Sequence, residues 1–210
     1  MGKVRVAGFG VSIDGFGAGP DQGLEHPLGK RGQELMSWFF PTRAFRSMIG
    51  QDGGTEDRFA SAAAEGFGAF ILGRNMFGPA GDDWGGPDWK GWWGDDPPYH
   101  APTFILTHHA RPPIVMEGET TFHFVTEGIE AALAQARAAA GELDVKIGGG
   151  VSTVRQYLLA GAIDEMHLAL SPVVLGRGES LFADIDLPSL GYRVTEVVPT
   201  ELATHLVLTR

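Results

Sequence analysis

The 210-residue chain contains no cysteine, which excludes disulfides, thiolate metal sites and a cysteine nucleophile. Positive charge is also scarce: 16 Lys and Arg stand against 26 Asp and Glu, a formal net charge of −10. Proteins that bind nucleic acid neutralise its phosphates with clustered Lys and Arg, so no nucleic-acid partner is expected. No apolar run reaches the roughly 18 residues of a membrane helix. The opening Met1-Gly-Lys-Val-Arg-Val leads into a strand pattern instead of an apolar signal region. These absences together predict a cytoplasmic protein with no membrane partner.

What is present is an ordinary core and an unusual amount of glycine. At 43% hydrophobic residues, a chain of this length hides roughly 70% of its unfolded surface, and the length predicts one domain over residues 1–210. Glycine (31) and proline (13) fill about a fifth of the chain, more than the usual share near 12%. They sit among aromatic and aliphatic runs, so they read as turns and close backbone approaches.

Period-two alternation predicts a first strand over residues 3–11, followed by a glycine-rich loop from Ser12 to Pro20. Residues 31–40 read as a short amphipathic helix ended by Pro41, and 55–65 as a helix with Thr55 as N-cap. Strands follow at 69–73, 103–107 and 122–125, with a loop over 79–102 holding Trp84, Trp89, Trp92 and Trp93. Thr126 is the expected cap of a helix whose apolar stripe is Ile129, Ala132, Leu133, Ala136 and Ala140 and which Gly141 stops. Then come a strand at 144–147, a turn at Gly148-Gly149-Gly150, a helix over 151–160, a strand over 163–174 and a terminal hairpin of 192–199 with 202–209. Strands alternating with helices before a closing hairpin predict an α/β fold with a mainly parallel sheet and antiparallel edge strands.

Three strand ends carry groups suited to an anion. In Val145–Val154, a strand meets three glycines and a helix start, where unpaired amides and the helix dipole favour a pyrophosphate. Ser152 and Thr153 add hydroxyls. A plain tight turn accounts for the stretch equally well, and it lacks the full spacing of the usual dinucleotide fingerprint. At Gly73-Arg74-Asn75-Met76 a guanidinium follows a strand, and the third strand ends in Thr107-His108-His109. Open α/β sheets bind ligands beyond the carboxyl ends of their strands.

The order of these motifs carries a resemblance. Ser12-x-Asp14-Gly15, Gly73-Arg74-x-Met76, Gly148-Gly149-Gly150, Ile163-Asp164-Glu165 and the run from Pro172 to Phe182 together resemble the dihydrofolate-reductase-like family that includes the reductase domain of bacterial riboflavin biosynthesis, most closely its stand-alone actinobacterial-type members. The resemblance spans the chain, with divergent insertions at about 20–56 and 79–101. It implies a central, mostly parallel sheet of about eight strands with flanking helices, extended NADPH as cofactor, a small-molecule substrate and a homodimer. Ile147, Gly148, Gly149 and Gly150, with Val151, Ser152 and Thr153, would hold the pyrophosphate. Gly73, Arg74, Asn75 and Met76 would meet the adenosine-side phosphates, and Thr107, His108 and His109 the adenine ribose. The Ser12–Gly19 segment would line the nicotinamide as a lid. Asp14 and Glu34 are the candidate proton donors, with loop capping the ordinary role of an Asp14-type residue and water a further source. Trp38 and Phe39, with Phe40 and the loop tryptophans, suit either stacking on a planar substrate or burial against a second subunit.

Two other classes compete. A relic of the same fold would bind a nucleotide or a partner without turnover. A metal hydrolase would draw on His100, His108, His109 and His123, but adjacent histidines at a strand end point to opposite sides and no H-x-x-x-H helix exists, so no metal is expected.

Overall fold

A computed structural model of the chain describes residues 2–79, 84, 86 and 88–210. In chain order its elements are β1 (Val4–Ser12), β2 (Phe16–Ala18), a 3-10 turn (Gly32–Met36), α1 (Arg43–Met48), α2 (Arg58–Ala64), β3 (Phe67–Gly73), α3 (Arg74–Phe77), β4 (Pro102–Leu106), β5 (Ile114–Val115), β6 (Thr121–Val125), α4 (Ile129–Ala140), β7 (Asp144–Gly149), α5 (Val151–Leu159), β8 (Glu165–Ser171), β9 (Glu179–Ser180), β10 (Arg193–Pro199) and β11 (Thr204–Thr209). Nine strands form one sheet in the order β10-β11-β8-β1-β7-β3-β4-β6-β5, and β2 pairs with β9 apart from it. The six strands from β8 to β6 run parallel, while β11, β10 and β5 are antiparallel at the edges. The α/β class, the mainly parallel sheet and the terminal hairpin agree with the sequence. The ninth strand, β5, is two residues long.

One face of the sheet carries the larger core. Ala132, Ala136 and Ala140 of α4 form a stripe at i, i+4 and i+8, and Val154, Tyr157 and Leu158 of α5 join it over Val145 and Ile147. Small alanines let α4 lie close on β3 and β4. The opposite face carries two separate clusters. Trp38, Phe59, Ala60, Ala169 and Ala203 form one over β8 and β11, and Leu72, Phe77, Ile105, Met116 and Phe122 form the other over β3, β4 and β6. Between them lies a cleft floored by β1, β7 and β3.

Several predicted ends shift for identifiable reasons. The 31–40 helix is only a 3-10 turn over Gly32–Met36, entered from Arg31 in the left-handed region, and separate turns closed by the Phe39 and Phe40 amides on the Met36 carbonyl carry the chain on to Pro41. Asp57, not Thr55, caps α2, its carboxylate accepting from the amides of Phe59 and Ala60. Gly128, not Thr126, stands at the start of α4, since Thr126 turns its amide and hydroxyl to the Glu127 carboxylate. The 163–174 strand is confined to Glu165–Ser171, with Asp164 at its entrance accepting from the Val4 amide. Within the predicted 79–102 loop, residues 80–83, 85 and 87 lie outside the described residues. Among the described residues no helix is long and apolar enough to cross a membrane.

The Trp38 cluster encloses a histidine pair. β1 bulges at Gly8, whose φ of +73° suits glycine and shifts the register against β8. The freed Gly8 amide donates to His167 Nδ1 at 3.1 Å. His167 Nε2 therefore carries the proton and donates to His205 Nδ1 at 3.0 Å, and both rings stack on Phe59. Burial and mutual repulsion hold the His167 pKa down, and burial lowers that of His205. A histidine whose folded pKa lies below its unfolded value leaves the fold fully stable above about pH 6.5 and withdraws stability as pH falls, because the unfolded chain takes up protons that the folded chain refuses. Denaturant titrations should show a loss of roughly 2 kcal/mol between about pH 6.5 and 5, starting above the carboxylate range. A midpoint flat over that interval would contradict the neutral pair.

Candidate active site

The cleft has a volume of about 740 Å³. At one end the carboxyl ends of β3, β4 and β7 open onto it. Gly73 ends β3 and Arg74, Asn75 and Met76 follow it, Thr107, His108 and His109 follow β4, and Gly148 and Gly150 lead into Val151, Ser152 and Thr153 of α5. The structure thus brings together, at one rim, three strand ends up to 76 residues apart in sequence.

Local geometry at this rim is set by backbone proximity. Gly73 packs so near α5 that a Cβ there would lie 2.4 Å from Thr153 Oγ1. Gly150 is the N-cap position of α5, in extended geometry, and no side chain caps the helix. A Cβ on Gly150 would meet nothing within 4 Å, so no side chain crowds the entrance to α5. The Gly149–Gly150 peptide bond is cis. Ile147 and Gly149 do not line the cleft: Ile147 is in the core beneath α5, and Gly149 is buried against Phe9 and Met76.

Arg74 lines the rim, but its guanidinium donates to the Pro79 carbonyl and stacks on the Trp84 ring at 4.6 Å. Two tryptophans of the loop pin α3 from the other side. Trp89 Nε1 donates to the Phe77 carbonyl at 2.8 Å and Trp92 Nε1 to that of Asn75 at 3.2 Å. His108 and His109 are exposed, with the His109 amide held by Thr107 Oγ1. Among the described residues, no group of three His, Asp or Glu side chains is placed to hold a metal ion.

The other end is a recess with aromatic walls. Phe39, Phe40 and Phe45 come from the 20–56 stretch, Trp93 and Tyr99 from the 79–101 stretch, and Phe70 from β3. Both stretches therefore shape the same pocket. Trp38 does not line it. It is 3% exposed and sits behind the wall, edge-on to His167 and His205.

The two predicted proton donors lie off the cleft. The Asp14 carboxylate accepts from the amides of Leu175 and Gly176. The Ser12 hydroxyl, and after it these amides, hold its pKa down to about 2. Ser12 is fully buried and also accepts from the Phe16 amide, so the Ser-x-Asp-Gly motif ties one loop to another. Glu34 is exposed and forked by Arg31 at 2.8 and 2.9 Å, which lowers its pKa. Both carboxylates are ionised at neutral pH and have no proton to give.

Two titratable residues in the cleft have no local sequence signal. Glu179 of β9 is the one carboxylate among the described residues lining it, and burial raises its pKa. Lys146 of β7 lies at the recess end, its ammonium donating to the Ala63 carbonyl. Burial, and after it repulsion from Arg5, lowers its pKa to about 8.

A family model, the RibD C-terminal domain, matches residues 5–208. The uncharacterized protein YyaP of Bacillus subtilis (strain 168) is 40% identical over 42 residues, 20% of this chain and 22% of that protein; the match therefore spans about a fifth of the curated relative. Among solved structures, the chain is similar to a putative riboflavin biosynthesis protein from Shewanella sp. PV-4, with a TM-score of 0.58, 21% identity and coverage of 100% of this chain and 99% of that one. It is also similar to RibD of Acinetobacter baumannii, with a TM-score of 0.55, 16% identity and coverage of 100% and 58%.

Proposed function

The chain belongs to the RibD C-terminal domain family, and on that premise we propose that it is an NADPH-dependent reductase acting on a small planar heterocycle or a carbonyl or imine carbon. The observation that carries this reading is the convergence of three strand ends on a cleft that continues into an aromatic recess. Gly150 and the uncapped first turn of α5 fit a pyrophosphate, because no side chain caps that turn and none lies within 4 Å of a Cβ built on Gly150, with Gly148 lining the cleft beside them. Asn75 and Met76 border the same place, and the exposed imidazoles of His108 and His109 are donors for the extra phosphate that distinguishes NADPH from NADH. When bound, NADPH supplies the hydride; orientation, exclusion of water and a proton are the protein's part. The aromatic walls hold a flat ring, and Glu179, whose carboxyl keeps its proton to higher pH than a surface glutamate, takes the donor role in place of Asp14 and Glu34.

Tryptophan fluorescence should be quenched by NADPH more strongly than by NADH. NADPH should then be consumed with some members of a panel of pteridines, imines and ketones, the rate falling as pH rises through the raised Glu179 pKa. NADPH binding with no turnover across the panel would favour a nucleotide-binding relic, and absence of NADPH binding would end the reductase reading.

A further inference from the structure

Among the described residues, Lys146 has no carboxylate paired with its charge. Alternation along β7 sends Val145 and Ile147 into the core under α5, and Lys146 and Gly148 to the cleft. Lys146 is flanked in register by Arg5 of β1 and Phe70 of β3. Its Nζ lies 5.4 Å from the centroid of the Phe67 ring and donates to the carbonyl of Ala63, in the last turn of α2. That carbonyl uses one of three ammonium protons. Among the described residues no carboxylate pairs with it, while the neighbouring Arg5 is held by Asp144 and Glu165. Glu179, the one carboxylate among the described cleft residues, is on β9 beside the start of α5.

Gly150 is four residues further along the chain, just past the end of β7. The cleft thus offers the uncapped start of α5 at its rim and an ammonium near its floor, and the aromatic side chains of the recess line the same cavity. A partly buried charge without a counter-charge is costly to keep, and in a cleft it marks a place where a ligand supplies the missing partner.

We propose that Lys146 is a specificity-determining residue of the recess: its ammonium meets a ring carbonyl oxygen, or the ionised oxygen of an acidic ring, on a flat heterocycle, and it repels rings that bind as cations. The substrate class is then the oxo-substituted heterocycles, with 2,4-diaminopyrimidine-type rings disfavoured. This assignment rests on the reading of the recess as a heterocycle site. The rival role is purely structural, a tether between α2 and the sheet through Ala63.

Calorimetric titrations of the full chain with 1,3-dimethyl-2,4-dioxopteridine, which has no ring proton to lose, and with 2,4-diamino-6,7-dimethylpteridine separate the two roles, each run with and without saturating NADPH. The dioxo compound should bind at least about tenfold more tightly. Lys146→Met, which keeps the apolar stem, should weaken it by about tenfold to a hundredfold, the range for a hydrogen bond to a charged group, while leaving or improving the diamino compound. In the unaltered protein, dioxo affinity should fall as pH rises from 7 to 9, because the ammonium discharges near 8. The other groups facing it are the Arg5 guanidinium on β1, held by Asp144 and Glu165, and the His167 imidazole on β8, whose pKa is held down by burial; α2 and β3 contribute the Ala63 carbonyl and the Phe67 ring. The pH series and the two-compound comparison need no variant, so they decide the matter even where Lys146→Met unfolds. Equal weakening of both compounds in Lys146→Met, or a pH-independent dioxo affinity, would establish the tether and overturn the proposal. Binding of NADPH with neither pteridine would overturn it too while leaving the reductase reading in place. A Lys146-dependent dioxo preference without NADPH binding would do the reverse.

Discussion

Replacing Gly150 with aspartate should cut NADPH affinity by about a hundredfold or more while leaving the fold at least as stable, since like charges set against each other at an interface cost several kcal/mol. Gly150 has the extended backbone of an N-cap, with φ −69° and ψ −167°, and α5 has no side-chain cap. A carboxylate there accepts from the amides at the second and third helical positions, Ser152 and Thr153, and lies at the positive end of the helix dipole. Such a cap is worth about 0.5–2 kcal/mol. A Cβ at this position meets nothing within 4 Å, so the substitution brings no clash. The amides it satisfies are the ones assigned to the pyrophosphate, and its charge repels what remains. Stability and binding therefore move in opposite directions, which generalised damage to the fold does not produce. Gly150→Ala, adding a methyl without charge, should lose much less affinity. Thermal unfolding and NADPH titration of both variants measure the divergence. An unchanged affinity in Gly150→Asp would place the anion away from α5.

The elements that set up this prediction were legible because their signals are local. Alternation in β1 and the apolar run of β3 mark strands, the alanine stripe of α4 marks a helix face, and three glycines between Ile147 and Val151 mark a strand-to-helix turn. The loop-capping role of Asp14 was equally readable. Helix caps were less so, because Thr55 and Thr126 have the right chemistry but Asp57 and Gly128 stand where the backbone turns. Lys146 was hidden for a different reason. In Asp144-Val-Lys-Ile147 it occupies the polar phase of an alternating strand, which reads as solvent-facing, and only the tertiary placement of α2 over that strand buries it. Glu179 lies in a glycine-rich stretch with no periodicity, and its exposure to the cleft depends on pairing between β2 and β9. The placing of Lys146 and Glu179 in the cleft is thus a product of topology, whereas Arg74 and the rim glycines are written in the chain.

Trp38 and Phe39, adjacent in sequence and both candidates for stacking on a substrate, should separate in opposite directions when truncated. Trp38 is 3% exposed, packed with Phe59, Ala60, Ala169 and Ala203, and edge-on to the His205 ring at 5.1 Å. Trp38→Ala removes the centre of that cluster, at a cost of about 3–5 kcal/mol. For a chain of this size the unfolding midpoint drops by roughly 2–4 °C per kcal/mol, so a loss on the order of 10 °C is expected. Phe39 is half-buried and lines the cleft, touching Trp38 at 5.4 Å and Phe45 at 5.5 Å between ring centroids. Phe39→Ala leaves the cluster's buried members in place and opens the recess wall, so it should cost less stability but weaken a flat substrate or the dioxopteridine by about tenfold, the worth of one aromatic contact. The paired measurement is unfolding midpoint against ligand affinity, taken below the melting range of both variants. Substrate affinity lost in Trp38→Ala at an unchanged midpoint would bring that indole into the recess. A large midpoint drop in Phe39→Ala with affinity preserved would make the Phe39 ring part of the support, leaving Phe40 and Phe45 as the wall that the ligand meets.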